Sequence, residues 1–400
     1  MLSTSIRNLA AKLLMGGERL WGTPTSATDE SLRRLSSFLI LEYSRPLGNA
    51  VHASPIFEAL HEAVPGAFIA VACSGMSFQV HQHNPFIQQV IQTSSPYQNP
   101  VQAAKQIRAS WKPPSGRSSC ILTPVGSERT KIGATAFLAG AGLRVGYTLL
   151  PELFHRVAVY DQSQSLLFNN LELLPLAGHS RAHYEPRVYF IPSELESARF
   201  LLRQRGLDDG QPIAVFVTQT SKTQYKRWRD ERFIAMAHHL RDVHRCHVLF
   251  VGTAEEAAAI EVIQSGIGFP TVSLAGKTSI PVLSALLCLS DVAISLDTGI
   301  MHLARAAQLP TIIIAPAWSP VLEWLPLDNP MFHIHKNADL PCMTPDYIID
   351  EVSVDEVRAS VDRLLQTYPP SAEARHSRIL RSLSDASAFD KSADVCASMA

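Results

Sequence analysis

Short apolar runs and amphipathic stretches alternate along most of this chain. Each run of three to five apolar residues is followed by a polar turn and then by apolar residues spaced three or four positions apart. Buried parallel strands covered by helices on both faces give this pattern. A first set of strands is predicted at residues 38–41, 68–72, 90–92, 120–123 and 145–147, and a second at residues 213–217, 248–251, 271–274, 292–295 and 311–314.

The two sets predict an α/β protein with two Rossmann-like domains, whose parallel sheets face a central cleft. Ligands bind in such sheets at the carboxyl ends of the strands. We assign the N-terminal domain to residues 38–205 and the C-terminal domain to residues 206–368. Residues 369–400, which are rich in serine and alanine, are expected to form a flexible tail.

The first 37 residues form an N-terminal extension with a pattern of its own. Apolar residues including Ile6, Leu9 and Leu13 recur at helical spacing, and basic residues such as Arg7 and Lys12 interrupt them. This pattern predicts an amphipathic helix. Such a helix could contact an anionic membrane surface peripherally, pack on its own domain or stay partly disordered.

Composition excludes several classes of protein. A net charge of -1 over 400 residues gives no indication of nucleic-acid binding. The six cysteines are scattered without a Cys-x-x-Cys pair, which favours reduced thiols in the cytoplasm over a zinc or redox site. No apolar run approaches the roughly 18 residues of a membrane span, and no signal peptide is evident. The chain also has no Asp-x-Asp triplet, so we expect no metal at a diphosphate site and no cofactor.

The most informative segment is SLDTGIMHLARAAQLPTIIIAPAWSP, residues 295–320. Asp297, Thr298 and Gly299 stand where a predicted strand gives way to a helix. Free N–H groups and the positive end of the helix dipole favour a phosphate or diphosphate there, although a capped helix alone would give the same three residues. The whole segment resembles the C-terminal signature of glycosyltransferase family 9, the ADP-heptose:lipopolysaccharide heptosyltransferases.

This resemblance extends over residues 38–365 and implies a GT-B fold. It implies inverting, metal-independent transfer of a sugar, heptose by family default, from a nucleoside diphosphate such as ADP-heptose to a cell-envelope glycan such as the lipopolysaccharide core. By the same resemblance Asp297, Thr298 and Gly299 hold the phosphates and sugar hydroxyls. His302 would brace the helix against the cleft, with a catalytic acid as the alternative.

Two further segments resemble donor-binding parts of the family. In KRWRDERF, Lys226 stands where the family meets donor phosphate, and Arg229 replaces the usual proline. A positioned ammonium can stabilise the departing diphosphate, although Lys226 and Arg227 could equally form a solvated turn. In GTAEEA, either Glu255 or Glu256 matches the carboxylate that binds the ribose, and acidic residues also cap helices.

The segment LAGKT matches a family run that lines the base and leads to the diphosphate loop. Gly276 and Thr278 would shape backbone contacts there.

The acceptor side departs from the family pattern. The chain reads Pro46-Leu47-Gly48-Asn49 where the family has Leu-Gly-Asp with a catalytic aspartate. An amide cannot take a proton, so we expect His52 as the first substitute base and Glu42 as the second. His52 could instead be an ordinary polar helix residue and Glu42 a salt-bridge partner, while Asn49 could still hydrogen-bond the acceptor.

Ser127 and Arg129 match a family segment near the acceptor. Arg129 could meet an anionic acceptor such as a phosphorylated sugar, or pair with a neighbouring carboxylate.

Two other functions remain open at this point. A catalytically impaired nucleotide-sugar-binding protein would explain Asn49. A nucleotide-sugar epimerase of the same build would need acidic residues around the sugar and no acceptor, and the match over residues 297–320 argues against it.

Overall fold

The computed structural model describes residues 27–140, 142–180, 183–208, 210–220, 226–337 and 347–384. The chain divides into two compact units, the first ending at Pro186 and the second beginning at Arg187. Among the described residues no helix is both long and apolar enough to cross a membrane.

The first unit is built on a six-stranded parallel sheet with the order β3-β2-β1-β4-β5-β6. The central strand β1 pairs with β2 and β4, so that Leu39 lies beside both Ala70 and Ile121. Since helices cover both faces, β1 is buried almost throughout, which explains the apolar run at residues 38–41. The strands are Leu35–Glu42 (β1), Phe68–Cys73 (β2), Gln89–Gln92 (β3), Ser118–Thr123 (β4), Leu143–Gly146 (β5) and Arg156–Val157 (β6).

Helices connect these strands and carry the rest of the core. Helix Pro100–Ser110 begins with an Asn99 side chain that accepts the Gln102 N–H, and it packs beside helix Thr130–Leu138. The helices of this unit are Asp29–Arg33, Leu47–Ala53, Pro55–Ala63, Met76–His81, Pro100–Ser110, Thr130–Leu138, Leu166–Leu171 and Leu173–Leu176, with a 3₁₀ turn at Pro151–Leu153.

The second unit repeats the same plan, with the order β12-β11-β10-β7-β8-β9. Aromatic rings fill its core, where the ring of Trp228 meets Phe233 edge-on at 4.9 Å and Phe216 packs on Phe250 at 5.3 Å between centroids. The strands are Ile213–Val217 (β7), His247–Phe250 (β8), Val272–Ser273 (β9), Val292–Leu296 (β10), Thr311–Ile314 (β11) and Phe332–His335 (β12).

Several helices of the second unit are capped by serine. Ser279, Ser353 and Ser371 each accept a backbone N–H from the first turn of the helix that follows. The helices are Pro192–Arg203, Asp230–His244, Ala257–Ile267, Ile280–Leu289, Gly299–Ala307, Val321–Trp324, Val354–Thr367 and Ala372–Ser382, with a 3₁₀ turn at Ala254–Glu256.

Both sheets have the Rossmann strand order, so each unit has one point where the chain direction across the sheet reverses. This switch point lies between β1 and β4 in the first unit and between β7 and β10 in the second. Open α/β sheets bind ligands at the carboxyl ends of the strands that flank it. The predicted α/β fold of two Rossmann-like, parallel-sheet domains is confirmed.

The bounds differ from the expected ones in three places. Strand β1 begins at Leu35, inside the expected extension of residues 1–37. Helix Pro192–Arg203 belongs to the second unit, because it packs on helix Ile280–Leu289, so the units divide before residue 187 and not at 205–206. The amphipathic helix expected near the N-terminus falls on residues 1–26, outside the described residues.

The tail also differs from its expectation. Residues 372–382 form a helix on the second unit and not a flexible segment. Arg375 donates from Nε and Nη2 to the two carboxylate oxygens of buried Asp291, at 2.9 and 2.6 Å. This bidentate ion pair, together with packing on helix Ile280–Leu289, holds the helix on the second unit. Residues 385–400 lie outside the described part of the chain.

Candidate functional site

A buried ion pair lies at the switch point of the second unit. Lys226 comes from the segment after β7, and Asp297 directly follows β10. The Lys226 Nζ lies 2.8 Å from Asp297 Oδ2 and 3.2 Å from the Asp297 carbonyl oxygen. The Ser319 hydroxyl, from the turn after β11, donates to the same Oδ2 at 2.8 Å. The sequence therefore brings together two residues that are 71 positions apart.

The neighbours of the Asp297 carboxyl favour its charged form. Burial by itself raises the pKa of this carboxyl, but the Lys226 ammonium, His302 and the Ser319 hydroxyl together hold it below its usual range. The Asp297 carboxyl is consequently ionised at neutral pH. The Lys226 Nζ also lies 5.1 Å from the centre of the half-buried Trp318 ring.

The helix that follows Asp297 begins beside the pair. Thr298 is its N-cap, with a side chain that accepts the Ile300 N–H at 3.3 Å, and the helix runs from Gly299 to Ala307. Thr298 and Gly299 are partly exposed, so the N–H groups of the first turn are within reach of a ligand. Together with Lys226, this helix start provides the positive field that a phosphate group requires.

His302 lies on the same helix and is buried. Burial lowers its pKa to about 4, against the opposing effect of Asp297. Its ring centroid lies 6.0 Å from that of Trp324. Because the imidazole is neutral at pH 7, it is a weak general acid there, and its burial favours the bracing role over the catalytic acid.

The two glutamates after β8 differ in their surroundings. The Glu256 carboxylate accepts the Thr253 N–H at 2.8 Å in a capping box, whereas Glu255 is exposed at the start of the turn. The cap occupies Glu256, so the structure favours Glu255 as the carboxylate that is open to a ligand.

Gly276 and Thr278 follow β9. Gly276 has a φ of +68°, and a Cβ at this position would lie 2.8 Å from the Ala254 Cα. Its N–H donates to the Gly252 carbonyl at 2.9 Å. Only glycine permits this close approach of the two loops, and Thr278 lies half-buried just beyond it.

The other cations near Lys226 are engaged at the surface. Arg229 forms a bidentate pair with Asp350, and both side chains are about half exposed. Arg227 pairs with Asp230 at 2.9 Å. Lys226 is therefore the buried cation of the KRWR segment, and Arg229 in place of the family's proline serves a surface contact.

Glu42 ends β1 at the switch point of the first unit, and it is fully buried. Its Oε1 accepts the Ser44 N–H at 2.8 Å. Burial raises the pKa of Glu42 to about 7, while the hydrogen bonds from Ser44 act in the opposite direction. A carboxyl group with this pKa is poised to take up a proton near neutral pH.

Asn49 and Ser44 lie close to Gly126, in the turn after β4. Gly126 has a φ of +89°, and a Cβ there would come within 2.3 Å of Asn49 Nδ2 and 2.7 Å of Ser44 Oγ. Within the described part of the chain, Asn49 Oδ1 is a buried atom without a hydrogen-bond partner. Buried polar atoms are normally satisfied, so this oxygen indicates a place for a polar ligand.

His52 is also fully buried, one turn along the helix from Asn49. Its carbonyl oxygen accepts from Asn170 Nδ2 at 3.1 Å, and Asn170 Oδ1 accepts the Val125 N–H at 2.9 Å. Burial reverses the expected order of the two candidate bases. A carboxylate loses its charge on taking a proton, whereas an imidazole gains one, so a buried site favours Glu42 over His52.

Ser127 and Arg129 occupy the turn before helix Thr130–Leu138. Ser127 is fully buried, and its Oγ accepts the Tyr43 N–H at 3.0 Å, which ties the end of β1 to this turn. This contact explains Ser127 as a structural residue. Arg129 is exposed and lies close enough to Tyr97 to oppose the rise in the tyrosine pKa that burial causes.

Sequence reasoning missed four residues beside these groups. The Arg45 guanidinium lies 4.2 Å from the centre of the Tyr97 ring, and Trp318 and Ser319 contact the buried ion pair. Trp318 and Ser319 lie within residues 295–320, and Arg45 adjoins Pro46, but a contact with an aromatic ring or a hydroxyl leaves no spacing signal in the sequence.

Comparison with known proteins confirms the resemblance. Residues 179–335 match the model of glycosyltransferase family 9 (heptosyltransferase). No curated protein sequence matches the chain.

Several solved structures share the fold. A family 9 glycosyltransferase from Veillonella parvula DSM 2008 has a TM-score of 0.72 at 16% identity, covering 83% of this chain and 97% of that one. The E. coli ADP-heptose lipopolysaccharide heptosyltransferase II has a TM-score of 0.67 at 17% identity, over 83% and 99% of the two chains. E. coli heptosyltransferase WaaC with ADP has a TM-score of 0.63 at 16% identity, over 82% and 99%.

Proposed function

We propose that this chain is a glycosyltransferase that transfers a heptose from a nucleoside diphosphate, ADP-heptose, to a hydroxyl of a cell-envelope glycan such as the lipopolysaccharide core. The match of residues 179–335 to the model of glycosyltransferase family 9 supports this proposal. The proposed reaction inverts the sugar anomeric centre and needs no metal. The observation that carries the proposal is the buried Lys226–Asp297 pair beside the start of helix Gly299–Ala307.

The donor diphosphate would bind at this helix start. Its oxygens would accept from the first-turn N–H groups and from Lys226, which the Asp297 carboxylate holds in position. The negative charge of the diphosphate grows as the bond to the sugar breaks, and a fixed ammonium stabilises it without solvent reorganisation. Glu255 is the proposed partner of the ribose hydroxyls, since Glu256 caps its own turn.

Glu42 is the proposed general base. The acceptor hydroxyl gives its proton to the Glu42 carboxylate, its oxygen forms a bond to the anomeric carbon of the donor, and the bond from that carbon to the diphosphate oxygen breaks. The released nucleoside diphosphate carries the bonding electrons. Asn49 would hydrogen-bond the acceptor, in keeping with its unsatisfied buried oxygen.

The acceptor is proposed to carry negative charge. Exposed Arg45 and Arg129 both act on Tyr97, which places two cations near one half-buried ring. A phosphate or carboxylate on the glycan would satisfy them. We place the reaction in the cytoplasm, with peripheral contact at the inner face of the membrane that carries such a glycolipid.

A nucleotide-sugar-binding protein without turnover is the second candidate. It is favoured by one observation, the amide of Asn49 where the family has its catalytic aspartate.

A transfer assay separates the two candidates. The full chain is incubated with ADP-heptose and a heptose-free lipopolysaccharide core, and the release of ADP is measured together with the glycan mass. We expect equal amounts of ADP and heptosylated glycan, and a loss of kcat of about 10²–10⁴-fold in Glu42→Gln. Binding of ADP-heptose without product would support the second candidate. Failure of the folded protein to bind ADP-heptose would contradict both.

A further inference from the structure

Two histidines and one aspartate converge on the second unit away from the residues assigned to the donor. His239 and His244 lie on helix Asp230–His244, and Asp362 lies on helix Val354–Thr367, which packs against it. The Asp362 Oδ1 lies 2.7 Å from His239 Nε2 and 2.6 Å from His244 Nε2. One ligand atom from each residue falls within 4.8 Å of the others.

We propose that His239, His244 and Asp362 bind a divalent transition-metal ion, Zn²⁺ in the first place. Two imidazoles and one carboxylate form a common ligand set for Zn²⁺, which prefers nitrogen and oxygen ligands at about 2.0–2.2 Å. The ion needs no further protein ligand, because water can complete a tetrahedral shell.

A bound ion requires the two nitrogens to approach each other and the carboxylate to withdraw. Ligand atoms at about 2.0 Å from a tetrahedral ion stand about 3.3 Å apart, so the nitrogens, which lie within 4.8 Å of each other, must close by at most about 1.5 Å, and Asp362 Oδ1 must move away from them by about 0.6–0.7 Å. The Asp362 side chain is 47% exposed and can supply this movement, whereas the two histidines are mostly buried, at 14% and 20% exposure. The same exposure gives the ion a path from solvent.

The donor types of the cluster suit a cation. The Asp362 carboxylate lies opposite two imidazoles, each of which can present a ring nitrogen to a metal. Without an ion, Asp362 accepts hydrogen bonds from both rings, and this state is the alternative that the experiment must exclude.

The site would be structural, and it does not depend on glycosyl transfer. An ion held by both helices would cross-link Asp230–His244 to Val354–Thr367. His239 and His244 are five positions apart, which puts them about 140° apart around a regular helix. Their spacing gives no metal motif in the sequence, and it is the carboxylate of the second helix that brings them together.

The test uses the full chain, stripped with a chelator and titrated with Zn²⁺ by calorimetry and with Co²⁺ by visible absorption. We expect one ion per chain, and a rise in Tm of about 5–10 °C when free Zn²⁺ is a hundredfold above Kd. His239→Ala, His244→Ala and Asp362→Asn should each weaken binding at least tenfold. His238→Ala is the matched control on the same helix, since its ring packs edge-on against Phe269.

Two results would overturn the proposal. One is that the folded wild-type chain binds neither ion. The other is that Asp362→Asn, which keeps the volume and a hydrogen-bonding oxygen, binds Zn²⁺ as tightly as the wild type. This variant decides the question even if the histidine variants fail to fold.

Discussion

Removal of the Lys226 ammonium should destabilise the second unit strongly. The Lys226 and Asp297 side chains are 10% and 4% exposed, and their charged atoms are 2.8 Å apart. Lys226→Met keeps most of the apolar stem against Trp318 but leaves a buried carboxylate without its cation. Breaking a buried pair in this way costs about 3–5 kcal/mol. In a unit of about 200 residues, this lowers Tm by roughly 6–20 °C.

Denaturant titration and calorimetry at pH 7 measure this loss. Arg227→Met is the matched control, because the neighbouring Arg227 is 64% exposed and its pair with Asp230 should contribute less than about 1 kcal/mol. A double variant, Lys226→Met with Asp297→Leu, should lose less stability than Lys226→Met alone, since it leaves no unpaired buried charge. If Lys226→Met stays within about 1 kcal/mol of the wild type, the buried pair does not have the energetic role described here.

Three further predictions concern pH and backbone geometry. The pKa of Glu42 is about 7 in the folded chain, against 4.5 without burial, so its contribution to the free energy of unfolding is complete below pH 4.5 and is lost as pH rises through 7. Over this range the free energy of unfolding of the first unit should fall by about 3 kcal/mol in denaturant titrations, and Glu42→Gln should abolish this pH dependence. The pKa of His302 is about 4 in the folded chain, against 6.5 without burial. The free energy of unfolding of the second unit should therefore fall by about 3 kcal/mol as pH falls from 6.5 to 4, and His302→Gln should remove this acid sensitivity. Gly126→Ala should cost more stability than Gly116→Ala and should reduce kcat. Both glycines have a positive φ, but only at Gly126 would the new Cβ approach Asn49, at 2.3 Å from Nδ2. Equal effects of the two substitutions in unfolding and turnover assays would contradict this prediction.

The two sheets could be predicted because their strands are buried on both faces. Runs such as residues 213–217 and 292–294 are continuously apolar, and the corresponding strands are fully buried. Two of the four edge strands gave no such signal. Arg156–Val157 has only two residues, one of them charged, and Phe332–His335 alternates with histidine, so neither was expected.

The unit boundary and the tail depend on contacts that no local pattern reveals. Helix Pro192–Arg203 belongs to the second unit because of the partner it packs on, helix Ile280–Leu289. The helix at Ala372–Ser382 packs on that same partner, and Arg375 reaches Asp291 across 84 positions of the chain.

The sequence predicts more about the proposed donor-binding residues than about the proposed catalytic base. Lys226 and Asp297 follow strands that flank the switch point, so topology alone brings them to one edge of the sheet. The choice between Glu42 and His52 depends on burial, which spacing does not report. Helical periodicity favoured His52, and complete burial of both side chains favours the residue that becomes neutral on protonation.

Calorimetric titration with ADP and ADP-heptose tests the central claim, that Lys226 and the helix start beside Asp297 bind the donor diphosphate. The wild type, Lys226→Met and Arg227→Met are compared at a temperature where all three are folded. We expect both ligands to bind the wild type and Arg227→Met alike, and to bind Lys226→Met at least tenfold more weakly, because a charge-assisted hydrogen bond is worth about 1.5–3 kcal/mol. Equal affinity of Lys226→Met and the wild type, or no binding to the folded wild type, would contradict the account.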